Sequence, residues 1–248
     1  HRHRARCRRR TGDDVIATYL ARNFRTAAQL AADCSIEADA LQRLVDELLV
    51  PAPSYSVSAQ RSLLSKAFGE FPAGAARPGD YFHPANATWV SLALDARERL
   101  GARQAHHALK ARFQHNFALA LRECDRTIFR LTDSFTDAGQ PRAEGIGVRT
   151  AEAWEAFLDG IYSLCVADPS SEMAIARKEV LQEALAKLSN DEAAWASAEG
   201  KARMGVLIDQ YAQASMPFSP LEYARSSRKR LVDDLREKLG APWQCNAN

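Results

Sequence analysis

The chain has 248 residues, 46% of them hydrophobic and 26% charged, enough for one large domain or two modest ones. It carries 33 basic and 31 acidic residues, but six of the bases are arginines in the opening HRHRARCRRR, so the rest stands at −4. That balance argues against a broad nucleic-acid surface, and no run of about 18 or more apolar residues exists to make a membrane-spanning helix.

Ala, Leu, Arg, Glu and Asp dominate, and alternating β-branched runs are nearly absent, a composition that predicts an all-α protein. The first ten residues read as a basic, disordered tail, or as an arm able to bind phosphates, and they lack the apolar stretch of a secretory signal. The five cysteines, Cys7, Cys34, Cys124, Cys165 and Cys245, are odd in number and form no CxxC pair. Free thiols in a reducing cytoplasm are expected, without disulfide or zinc. His107 and His115 could share a helix face, but position 111 holds Ala, so no metal site is expected.

In chain order, Val15, Ile16, Tyr19, Leu20 and Phe24 have helical spacing and predict a first helix over 13–24. Thr26 followed by Gln29 reads as a capping box. It opens a helix running to about Asp33, after which "CSI" makes a bend. A second helix over Glu37–Leu49 places Leu41, Leu44, Val45 and Leu48 inward, and Pro51 and Pro53 stop it. Residues 51–80 are rich in Pro and Gly and read as a long loop with one short helix near "AQRSLLSKAF". "GDYFHP" follows as a short strand or wing.

Helical pattern returns over 85–133, with Gly101 separating two helices or bending one. Residues 134–150 read as a linker, with "GIG" at 145–147 too short to carry meaning. Four helical blocks follow near 151–166, 171–188, 190–213 and 219–239, with Ser170 or Ser171 and Asn190 or Asp191 as caps. Gly160 falls inside the first block, where close helix packing would explain it. The expected architecture is a winged-helix-like module over 11–133 packed against a C-terminal helical bundle over 151–240, with a tail at 241–248.

Residues 24–101 resemble the DNA-binding domain of MerR-type regulators. The shared order is a Thr-capped helix, a tight bend, a second helix, "LLVPAP", a Tyr-containing wing and a long helix ending "RERLG". The resemblance implies that the second helix enters the major groove while the wings clamp the backbone. Two departures matter. Ser35 stands where a Gly is usual, and the groove-facing start is "EADAL". Glu37 and Asp39 repel phosphates, and only Gln42 and Arg43 suit base readout. Arg61 is one of few nearby bases able to neutralise phosphate. A second resemblance spans nearly the whole chain. "YLARNFRTAAQLA", "LVPAPSYSV", "YFHPANATWV", "WEAFLDGIYSLCV", "ARKEVLQEAL" and "SSRKRLVDDLR" look like a bacterial family of unknown function associated with natural-product biosynthesis. It implies a setting without a mechanism.

Three places could carry chemistry. Tyr81 and His83 sit beside a Pro-defined turn, His83 as an acid–base group or as a cap on the next helix. Cys165, three residues after Tyr162, is a nucleophile if its pKa is lowered, or a buried apolar-face thiol. Ser226, Ser227 and Arg228 at a helix start could hold an anion, or form an N-cap beside surface bases. No phosphate-binding loop or nucleotide fingerprint occurs, so no cofactor is expected. The reading is an accessory protein of bacterial natural-product biosynthesis working through a protein partner or small molecule. The alternatives are a MerR-like regulator using Gln42, Arg43 and Arg61, with DNA disfavoured, and a pathway enzyme without a recognisable motif.

Overall fold

The structure is a computed structural model describing residues 10–240, with side chains from Val15 onward. The expected tails, with Cys7 and Cys245, lie outside the described residues, except that Arg10 opens the first helix. Two compact units interleave in sequence. The first takes the chain up to His115 together with Arg149–Cys165 and Ser219–Leu221; the second takes Asn116–Val148, Val166–Phe218 and the chain from Glu222.

In the first unit, α1 (Arg10–Asn23) leads through β1 (Arg25–Thr26) into α2 (Ala27–Asp33). The capping box is present: Gln29 N donates to Thr26 Oγ1 at 3.3 Å, and Thr26 N donates to Gln29 Oε1 at 2.9 Å. Each half satisfies an N–H that the helix leaves without a carbonyl. α2 ends where Ser35 takes a left-handed φ of 56° and Ile36 N donates back to Ala31 O at 3.0 Å. That is the turn for which Gly is usual, here made by Ser.

α3 (Ala38–Asp46) follows and buries Leu41 and Leu44. It ends at Asp46, short of the expected Leu49, because Leu48 also turns left-handed (φ 56°). Leu48 is consequently 52% exposed instead of facing inward.

The all-α expectation is overturned. β2 (Tyr55–Val57), β3 (Ser62–Ser65), β4 (Gly69–Pro72) and β5 (Gly79–Phe82) join β1 in an antiparallel five-stranded sheet of order β1-β5-β2-β3-β4. The segment expected as a loop with one short helix therefore holds β2, β3, β4 and the start of β5, and no helix. Tyr55 pairs with both Ser65 and Tyr81, and Leu63 with Phe71. Tyr55, Val57 and Leu63 on the shared inner face are buried. α4 (Asn86–Leu100) and the 26-residue α5 (Ala102–Thr127) come next, separated by Gly101.

The core has two parts. Leu30, Leu41, Leu44, Leu49, Val50, Phe82 and Val90 join α2, α3, α4 and β5. Trp89, Phe113, Trp154 and Phe157 form an aromatic layer with neighbouring centroids 4.8–6.3 Å apart, the offset and tilted range that ring quadrupoles prefer. The last two come from α6 (Ala143–Leu158), which begins inside the stretch expected to be linker. Gly160 is not inside a helix. At φ +77° it separates α6 from α7 (Ile161–Cys165), and its carbonyl accepts a hydrogen bond from Ser54 Oγ at 3.2 Å.

The second unit is helical. α8 (Glu172–Leu188), α9 (Glu192–Trp195) and α10 (Ala198–Ala214) precede a 3-10 turn at Tyr223–Arg225, a π-helical turn at Lys229–Asp233 and α11 (Asp234–Leu239). Ser171 and Asp191 are the caps used, accepting from Ala174 N and Ala193 N. Leu181, Leu185, Met204, Ile208, Tyr211, Leu231 and Val232 make its core. Asp125, at the end of α5, is buried and accepts from Leu131 N at 2.6 Å, while Arg130 pairs with its other oxygen at 3.0 Å.

Candidate functional site

The surface formed by α2, the bend and α3 is concave. A groove of about 720 Å³ is lined by Ala28, Ala32, Ile36, Ala38 and Ala40 together with Glu37 and Arg43. Small side chains keep the floor low, so an approaching backbone could come close. α3 presents Glu37, Asp39, Gln42, Arg43 and Asp46 as exposed groups.

Among the described residues, no hydrogen bond or ion pair engages the carboxylates of Glu37 or Asp39. Gln42 Nε2 donates to Asp46 Oδ1 at 2.8 Å. At the far end of α3, Glu47 accepts from Arg97 Nε and Nη2 at 2.5 and 2.8 Å. That hydrogen bonding, with the positive charges of Arg97 and Arg43, holds the Glu47 carboxyl below its ordinary pKa. Arg61, in the turn between β2 and β3, donates to Gly74 O at 2.8 Å. Of the three residues proposed to read DNA, Gln42 and Arg61 are thus turned to partners within the protein.

The other sequence-predicted positions have local partners. Tyr81 OH donates to Arg77 O at 2.8 Å, and burial raises its pKa against the lowering from that bond. His83 is buried, and its Nδ1 accepts from Ala85 N at 3.0 Å in the turn just before α4. Cys165 and Tyr162 are buried in α7.

In the second unit, Ser226 Oγ donates to Tyr223 O at 2.8 Å and accepts from Lys229 N at 3.1 Å. Ser227 Oγ lies 2.7 Å from Tyr211 OH. Arg228 Nη1 donates to Ala212 O, Ser215 O and Ser215 Oγ at 2.5–3.0 Å. Its guanidinium meets the carbonyl end of α10, where a helix carries partial negative charge, and burial lowers its pKa. Tyr81, His83 and Cys165 belong to the first unit and Ser226–Arg228 to the second.

Two smaller clefts lie elsewhere. One of about 240 Å³ is lined by Leu48, Arg103, His106 and His107, with His106 Nδ1 donating to Leu48 O at 2.9 Å. The other, about 530 Å³, lies at the start of α6 beside Asp133, Arg142 and Gly145. Among the described residues no group of three or more His, Cys, Asp or Glu is placed to hold a metal ion, and no helix is long and apolar enough to cross a membrane.

Residues 109–240 match a family described as a family of unknown function, DUF6058. The match covers more than half of the chain. The chain belongs to DUF6058. No curated protein and no solved structure matches it. The DUF6058 match includes Cys165 and Ser226–Arg228, while the α2–α3 surface and the sheet lie before it.

Thiol chemistry tests the placement of the cysteines in this DUF6058 protein. Cys34 is half-buried, whereas Cys124 and Cys165 are buried. Burial, and secondarily the charge of Asp33, raises the Cys34 pKa; burial pushes Cys124 up to about 11. With Cys7 and Cys245 replaced by Ser, a disulfide reagent at mildly alkaline pH should label Cys34 alone, slowly, in the folded protein. All three should react after denaturation. Fast labelling of Cys165 in the native state would restore it as a nucleophile.

Proposed function

We propose that this protein is an accessory protein of bacterial natural-product biosynthesis, working in the cytoplasm, whose helix-turn-helix contacts protein instead of reading DNA. The setting rests on the whole-chain resemblance carried by strings such as "LVPAPSYSV" and "SSRKRLVDDLR". The observation that carries the mode of action is the carboxylate pair of Glu37 and Asp39 at the start of α3, exposed and without a hydrogen bond or ion pair among the described residues. Duplex DNA is a polyanion, and phosphate neutralisation supplies most non-specific affinity. A helix that leads with two exposed acids repels it, and Gln42 is drawn to Asp46 instead of a base edge.

The test is fluorescence anisotropy against DNA from upstream of the protein's own gene, at low and raised salt. Residues 1–9 are removed so that their arginines contribute nothing. No binding at low salt is expected. The variant Glu37→Lys/Asp39→Lys should gain weak binding that disappears as salt rises, because the helix-turn-helix shape remains while the repulsion is gone. Sequence-preferring, salt-sensitive binding by the chain with its native acids would make it a MerR-like regulator and end the accessory reading.

A further inference from the structure

We draw no further inference here: the strongest candidate, the cleft at the start of α5 where the exposed Leu48 stands beside Arg103, His106 and His107, is an unpartnered apolar face, and nothing in the structure shows what covers it.

Discussion

Gly160→Ala is expected to destabilise the first unit by about 2–3 kcal/mol. Two effects add. The φ of +77° lies in the left-handed region, where a Cβ costs about 1 kcal/mol. The new Cβ would also overlap Ala52 O and stand 3.2 Å from Ala52 C and Pro53 O. Ala52 is not free to retreat. Its N–H donates to Leu158 O at 2.8 Å, and Ser54 Oγ donates to Gly160 O at 3.2 Å. Relieving the overlap breaks one or both bonds, each worth about 1 kcal/mol net. Gly69→Ala separates the effects, because Gly69 also has a positive φ (+83°) but nothing within 4 Å of its added Cβ. Urea denaturation should give a midpoint loss for Gly160→Ala well beyond that of Gly69→Ala. Equal losses would show that the approach of Gly160 to Ala52 adds nothing to the cost of the left-handed φ.

Asp125→Ala should cost the second unit about 2–3 kcal/mol. The carboxylate is buried at the end of α5 and accepts from Leu131 N at 2.6 Å. Leu131 is itself fully buried, so losing the acceptor strands an N–H that water cannot reach. Arg130 is 43% exposed at its side chain and can resolvate, so its half of the pair contributes less. Asp125→Asn keeps an acceptor oxygen and should fall between the native chain and Asp125→Ala. Thermal denaturation of the three would rank them. If Asn proves as damaging as Ala, charge pairing with Arg130 matters more than the bond to Leu131.

Local rules made parts of this fold legible. The Thr26–Gln29 box, the bend at Ser35, the break at Gly101 and the caps at Ser171 and Asp191 each depend on residues within a few positions of one another. Of the sheet, only β5 was legible, in "GDYFHP". "SLLS" and "GEFP" are four residues each, lack a run of β-branched residues and are punctuated by Gly69 and Pro72. What makes them strands is pairing across the sheet, Leu63 with Phe71 and Tyr55 with two neighbours.

Gly160 was misread for a related reason. The apolar pattern continues on both sides of it, while its constraint comes from Ala52 and Ser54, the latter 106 residues away. "GIG" likewise hid a close approach, since a Cβ on Gly145 would run into Asp133 O. At the candidate site, the acids of α3 were visible in "EADAL". The alanine groove was not, because it needs α2 and α3 set side by side. Arg228 looked like an anion ligand until the carbonyls of Ala212 and Ser215 supplied its partners.

The order in which the two units share the chain bears on how the protein could be inherited or rearranged. The first is assembled from three stretches, with Trp154 and Phe157 arriving after residues 116–148 have gone to the second. No single recombination crossover can then swap one unit and leave the other whole. A gene fragment ending at His115 would encode Trp89 and Phe113 without the two rings that cover them, and one beginning at residue 109 would encode those rings without Trp89. Natural variants should therefore exchange the pair as one inheritance block.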